Sequence, residues 1–294
     1  MDHIVDETFV INMDKEINRL YAFNSMMTST YDSNISWKYV RMPAINGKDI
    51  RNGINTAYRI LDNKDLDNLN YTLDIPSNDD MKILSTKYVK ESNWLSPGEY
   101  GCLLSHVLLW EKVANDPNLN RIAIFEDDAR THIDVGTIKT LISDLYKYLE
   151  NNNIEEPDML YLGKALDDCM NYKQVWKNVY WSTHPLCLHS YIISKNGARK
   201  LLQKAPYNAA IDMIPIYEIS NKTIKVMSFH PSLYFQDVIN NISSLRNLGS
   251  ALNITTECLV DMQHVNDNDM RFFIGVLIAL ISAFILYIAY TWNI

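Results

Sequence analysis

The sequence predicts an α/β protein with a mainly parallel central sheet covered by helices. Three observations carry that expectation. Short apolar runs of strand type alternate with longer amphipathic runs. A helix start is spelled out at Ser96-Pro97-Gly98-Glu99, and an apolar run at residues 121–125 (RIAIF) ends in three consecutive acids, Glu126, Asp127 and Asp128.

Residues 8–13 (TFVINM) read as a buried strand, and residues 14–26 place Ile17, Leu20, Tyr21 and Phe23 near helical spacing. A second strand covers 37–42 (WKYVRM), followed by a turn-type segment at 43–47 (PAING). Residues 62–92 read as a loop or insertion, because they are dense in Asp and Asn and carry Pro76 and Ser77. Ser96 at the cap, Pro97 at the first helical position and Glu99 at the third then form a capping box. In the helix that follows, Leu103, Leu104, Val107, Leu108 and Trp110 mark the buried face. Gly98, Gly101 and Ser105 leave a small-residue face, suited to close packing or to a ligand, and His106 reads as a satisfied core histidine.

Beyond the acids, residues 133–149 predict a helix, 158–163 a buried strand ending at Gly163, 189–193 a strand, and 194–202 a capped helix behind it. Asp212 stands among Ala209, Ala210, Ile211, Met213 and Ile214, where an unpaired carboxylate would be costly. The acidic triplet itself has two readings. It is a solvated turn after a core strand, or a set of hard oxygen ligands for a divalent cation and its phosphates at the carboxyl edge of a sheet.

The composition excludes some classes. With 294 residues, 47% hydrophobic and 21% charged, the chain can bury a large core. Its net charge of -8 and the lack of a basic stripe argue against nucleic acid as a partner. Cys102, Cys169, Cys187 and Cys258 are widely spaced, which favours reduced thiols over disulfides or a zinc site.

The amino-terminal residues show no signal-peptide pattern, so no amino-terminal export signal is expected. At the other end, residues 272–292 (FFIGVLIALISAFILYIAYTW) form an uncharged apolar stretch long enough to span a bilayer, with Arg271 before it and Tyr287, Tyr290 and Trp292 towards its far end. The expectation is a single-pass, carboxyl-terminal membrane anchor over 271–292, inserted after translation, with the preceding domain on the cytosolic side. Sequons at Asn34, Asn70, Asn221, Asn241 and Asn253 would matter only in a lumenal domain.

Taken together, the motifs resemble glycosyltransferase family 25, which includes bacterial lipooligosaccharide glycosyltransferases and collagen galactosyltransferases. The segments that carry the resemblance are 10–14 with Arg19, 44–47, 95–106, 124–128, 160–163, 191–198, Asp212, and Pro231 with Gln236, in the family's order. It implies a GT-A-like nucleotide-sugar-binding fold over residues 1–250, with 251–270 left as a polar linker before the anchor. It also implies Mn²⁺ or Mg²⁺, a UDP-sugar donor, and inversion at the anomeric carbon. The acceptor would be a hydroxyl on a glycan, a lipid-linked sugar or a protein, and the sugar a hexose, galactose or glucose.

Carried over by residue, Asp128 would ligate the metal, with Glu126 or Asp127 facing the ribose or a second coordination position. Asn12, Asp14 and Arg19 would lie near the nucleotide. Inversion in one displacement needs a general base for the acceptor proton, for which Asp212 is the candidate, and His230 is the alternative residue that would complete the metal shell. Asn46 departs from the pattern, because many relatives carry an acid there; an amide keeps an acceptor and adds donors. Two further readings stand beside the active enzyme: a degenerate relative that binds nucleotide sugar without turnover, and a tail-anchored scaffold.

Overall fold

The computed structural model describes residues 4–28, 37–48, 85–90, 95–237 and 257–258. Its elements run in the order β1 (Glu7–Asn12), α1 (Ile17–Thr28), β2 (Val40–Pro43), α2 (Pro97–Asn115), β3 (Arg121–Glu126) and β4 (Ala129–Arg130). There follow α3 (Val135–Asn151), β5 (Met159–Ala165), β6 (Lys173–Trp176), β7 (Val179–Trp181), β8 (Leu186–Ser194), α4 (Lys195–Leu202), α5 (Met213–Ser220), β9 (Val226–Phe229) and β10 (Phe235–Gln236).

An eight-stranded sheet has the order β2-β1-β3-β8-β5-β9-β7-β6. The direct pairings of β1 with β2, β1 with β3 and β5 with β9 are parallel, whereas β8 is antiparallel to both β3 and β5, and β7 to both β9 and β6. Strand direction is therefore mainly parallel, with β8 and β7 reversed. The register sets Ile11 beside Glu126 and Asn12 beside Pro43, so the carboxyl ends of β1, β2 and β3 form one continuous edge.

Alternation along the strands divides the core in two. Phe9, Ile11, Ile122, Ile124, Met159, Tyr161, Tyr191 and Ile193 pack in one cluster with Leu103, Leu104, Val107 and Trp110 of α2 and Ala198 and Leu201 of α4. Val10, Ala123, Phe125, Leu160, Leu162 and Ile192 pack in the other, with Leu20 and Phe23 of α1 and Ile138, Ile142 and Leu145 of α3. These two helix layers cover the sheet. They also explain why the strands read as unbroken apolar runs: strands covered on both faces have no solvent side.

The capping box is present as written. Ser96 Oγ accepts from Glu99 N at 3.3 Å, and Glu99 Oε2 accepts from Ser96 N at 2.7 Å. The small-residue face of α2 serves a close approach, since a Cβ added at Gly101 would lie 2.3 Å from Ile45 O and one at Gly47 would lie 1.9 Å from Pro97 O. Ser105 Oγ accepts from Ile45 N at 2.9 Å and closes the contact. The 43–47 turn is thus pressed onto the first turns of α2.

Three expectations change. Cys169 and Cys258 form a disulfide, whereas Cys102 and Cys187 are free. Wide sequence spacing says nothing about distance in space, which is why the pairing escaped. Within the expected 62–92 loop, Tyr88 and Val89 are buried in the core, and Val89 bridges Tyr207. In the expected 251–270 linker, Glu257 and Cys258 dock on the domain, with Glu257 O accepting from Asp167 N at 2.8 Å. The rest of 62–92 and of 251–270, and the expected spanning segment at 271–292, lie outside the described residues. Among the described residues no helix is long and apolar enough to cross a membrane.

Candidate active site

The carboxyl edge of β1, β2 and β3 opens onto a cavity of about 420 Å³. Arg19, Asn46, Glu126, Asp127 and Asp128 line it, with Lys15, Lys48, Cys102, His106 and Gln236. Lys15, Arg19 and Lys48 line it with four carboxylates, those of Glu126, Asp127 and Asp128 and that of Glu16, which pairs with Arg19 at 3.7 Å. Successive acids diverge from the strand end, and each meets different neighbours.

Asp127 turns to the first strand-to-helix loop. Asn12 Nδ2 donates to its Oδ2 at 2.7 Å, and Arg19 approaches its Oδ1 at 3.4 Å. Burial nevertheless pushes the Asp127 carboxyl up to about 6, with the Glu126 charge adding to the rise. Behind it, Arg41 is buried and donates from Nε to Asn12 Oδ1 at 2.9 Å, while its NH2 pairs with Asp14. Asn12 and Asp14 therefore do not line the cavity. They hold Arg41 and Asp127 in place from behind, a supporting role where a nucleotide contact was expected.

Glu126 turns to α2. Its Oε1 accepts from Cys102 Sγ at 3.7 Å and meets His106 Nε2 at 3.3 Å. Burial opposes ionisation here, yet the hydrogen bonds from His106 and Cys102 hold the Glu126 carboxyl below its usual range.

Asp128 is the least neutralised. Gln236 Nε2 donates to its Oδ2 at 3.1 Å, and Oδ1 is buried without a partner among the described residues. Burial first, then the charges of Glu126 and Asp127, push this carboxyl up to about 8. An ionised carboxylate so placed needs a counter-cation. Two carboxylates opening on one cavity with an orphaned buried oxygen fit Mg²⁺ or Mn²⁺, hard ions that take one or two protein carboxylates and complete their shell with water and phosphate oxygens.

Asp212 sits at the amino-terminal end of α5 and does not line this cavity. Its charge is nonetheless felt by Cys102 and Cys187, and it feels that of Glu126. Burial raises its carboxyl above the ordinary value, against backbone N–H donors that include Cys187 and Met213. Cys187 takes a φ of 66°, a backbone that costs a non-glycine residue about 1–3 kcal/mol. The Cys187 N–H is one of the backbone donors to Asp212.

His230 is a correction. It does not line the cavity: Nδ1 meets Glu257 Oε2 at 2.9 Å and Nε2 faces Cys258 Sγ at 3.8 Å, beside the disulfide. Histidine before proline carries no positional signal, so sequence spacing alone could not place it. Cys102, Lys15 and Lys48 also line the cavity without a sequence signal that marks them, and His106, fully buried, faces it as well as the core. The Gly98, Gly101 and Ser105 pattern pointed at that face of α2 without resolving which neighbours were functional.

The carboxyl edge of an α/β sheet thus gathers Glu126, Asp127 and Asp128 on one cavity with Lys15, Arg19 and Lys48. Residues 5–215 match glycosyltransferase family 25 (LPS biosynthesis protein), and the chain belongs to that family. Procollagen galactosyltransferase 1-A of Xenopus laevis is 31% identical over 153 residues, 51% of this chain and 22% of that protein. Lipooligosaccharide biosynthesis protein lex-1 of Haemophilus influenzae is 26% identical over 179 residues, 53% of this chain and 54% of that protein. Probable inactive glycosyltransferase 25 family member 3 of Bos taurus is 27% identical over 221 residues, 72% of this chain and 31% of that protein. The chain spans about a fifth to about half of the length of these relatives.

Proposed function

We propose that the chain is a metal-dependent, inverting glycosyltransferase that moves a hexose, galactose or glucose, from a UDP-sugar to a hydroxyl of a glycan, lipid-linked or protein acceptor. The observation that carries this reading is the buried Oδ1 of Asp128, without a partner among the described residues, on a cavity shared with Glu126 and Asp127. Family membership and the galactosyltransferases among its relatives support it.

Glycosyl transfer leaves negative charge on the departing diphosphate. A divalent cation held by Asp128 and Glu126 would supply Lewis-acid stabilisation of that charge. Arg19, Lys15 and Lys48 stand where they would add cationic donors to the phosphates. Asn46, fixed by the press of its turn on α2, offers an amide to ribose or base. Its own Oδ1 accepts from Lys48 N at 3.2 Å, which holds the turn in shape.

Inversion in a single displacement needs a base for the acceptor proton. Asp212, raised by burial and held by backbone N–H groups, is suited to that work, because a base nearer neutrality takes a proton with less mismatch. The test is transfer from UDP-galactose and UDP-glucose, with and without Mn²⁺, by the full chain and by Asp128→Asn. Metal-dependent turnover that Asp128→Asn abolishes supports the reading; binding of UDP with no turnover of either donor favours the non-catalytic relative instead.

For localisation we propose a membrane tether through 271–292. The Cys169–Cys258 disulfide favours an oxidising compartment for the domain over the cytosolic side expected from the tail position, because reducing thiol systems keep most cytosolic cysteines free. Glycan addition at Asn221, read as an electrophoretic shift lost on glycosidase treatment, separates the two sides. An unglycosylated chain with four free thiols returns the domain to the cytosol.

A further inference from the structure

We infer that His106 is a positioning residue for the cation site: a hydrogen-bond chain from Trp110 through Tyr191 fixes its tautomer so that Nε2–H donates to Glu126. The inference rests on the reading of Glu126 as part of that site. Trp110, Tyr191 and His106 are fully buried. Trp110 Nε1 donates to Tyr191 Oη at 2.9 Å, Tyr191 Oη meets His106 Nδ1 at 2.8 Å, and His106 Nε2 meets Glu126 Oε1 at 3.3 Å.

Proton counting leaves one consistent arrangement. The indole N–H can only donate, so it occupies a lone pair of the Tyr191 oxygen. Burial pushes the Tyr191 hydroxyl well above its ordinary range, which keeps its proton on. That proton needs an acceptor, and Nδ1 is the one in reach. If Nδ1 carried a proton instead, two donors would meet one oxygen and the buried hydroxyl proton would have no acceptor among the described residues. With Nδ1 accepting, Nε2 carries the ring proton and turns it to a carboxylate that can only accept when ionised.

The consequence for Glu126 is orientation. His106 and Cys102 both end on Oε1, so the carboxylate is fixed through one oxygen and Oε2 is left for a ligand in the cavity. A chain that starts at an indole inside the core thus sets the rotamer of a candidate cation ligand. Networks of this kind around metal ligands are commonly worth about 10–100-fold in metal affinity.

The experiment is Mn²⁺ titration of the full chain by calorimetry, alone and with UDP, for wild type, His106→Gln and His106→Leu. Glutamine places an amide N–H at the depth of Nε2, whereas leucine fills the space without a donor. The expected result is that His106→Gln retains most of the Mn²⁺ affinity and His106→Leu loses about 10–100-fold. Wild-type affinity in His106→Leu, or equal loss in both variants, overturns the inference and leaves the cation site standing. No Mn²⁺ binding by wild type overturns the site reading itself, and the positioning role with it. Should His106→Leu fail to fold, ¹⁵N shifts of the wild-type imidazole decide: an Nε2–H neutral ring is expected, and an Nδ1–H or doubly protonated ring overturns the inference.

Discussion

Gln236 Nε2 donates to Oδ2 of Asp128 at 3.1 Å, while Oδ1 of the same carboxylate is buried with no partner among the described residues. One neutral donor does not offset the burial of a full charge. The site is therefore incomplete as a set of protein groups, and the imbalance has a sign that can be measured.

The folded protein holds the Asp128 carboxyl at about 8, against an ordinary value of 3.8. Between those two values the unfolded chain has released the proton and the folded chain keeps it, so the contribution to stability falls as pH rises through this window. Asp127, pushed up to about 6, acts in the same direction. In EDTA the melting temperature is expected to fall between about pH 5 and 8.5, and Asp128→Asn is expected to flatten part of that fall. Mn²⁺ at pH 8.5 should restore the wild type and do less for the variant, since the metal needs the ionised carboxylate. Identical pH slopes in wild type and Asp128→Asn would sink the assignment.

The glycine contact between the 43–47 turn and α2 tolerates no added carbon. A Cβ at Gly101 would sit 2.3 Å from the Ile45 carbonyl and 2.8 Å from Gly47 N, both backbone atoms that cannot rotate away. Gly101→Ala is expected to cost about 1–3 kcal/mol in urea unfolding, through overpacking. It should also weaken UDP binding, because the displaced turn carries Asn46. Loss of stability with unchanged UDP affinity would show that Asn46 does not contact the nucleotide.

This contact also shows what the sequence could and could not carry. The capping box at Ser96 and Glu99, the apolar runs of β1, β3 and β5, and the strand end at Glu126 are local signals, and each lies within a residue or two of its expected place. The β4–β10 ladder has two residues per strand, too short for any periodicity, yet it delivers Gln236 to Asp128. The reversal of β8 between β3 and β5 is likewise set by packing partners far apart in the chain. For the same reason the acids were found and their neighbours were not. Asp127 meets Asn12 across 115 residues, and Glu126 meets His106 across 20.

The disulfide closes a long loop, with Cys169 and Cys258 separated by 89 positions in the sequence. Next to it, Glu257 accepts from Ser232 N at 2.9 Å and pairs with the buried Lys164 at 3.5 Å and with His230, so the bridge fixes Glu257 against the start of the segment that leads to Gln236. Cys258→Ser is expected to lower the unfolding free energy by about 2–4 kcal/mol. Denatured but unreduced wild type should titrate two thiols, those of Cys102 and Cys187. Four titratable thiols would remove the bridge, and with it the argument for an oxidising compartment.

Asp212 separates binding from chemistry. It lies outside the cavity lining, so Asp212→Asn should leave Mn²⁺ and UDP affinity near wild type. As the proposed base it should lower kcat by about 10²–10⁴-fold, with little change in KM for the donor. The Cys187 and Met213 N–H groups that face the carboxylate can bond the amide oxygen equally well, so the variant keeps its fold and the loss reports the missing base. Because burial raises the Asp212 carboxyl, the acid limb of the kcat profile should lie above the ordinary carboxylate range, and it should vanish in the residual activity of Asp212→Asn. A variant with full kcat, or one whose loss appears entirely in donor binding, would move the base to another residue on the acceptor side.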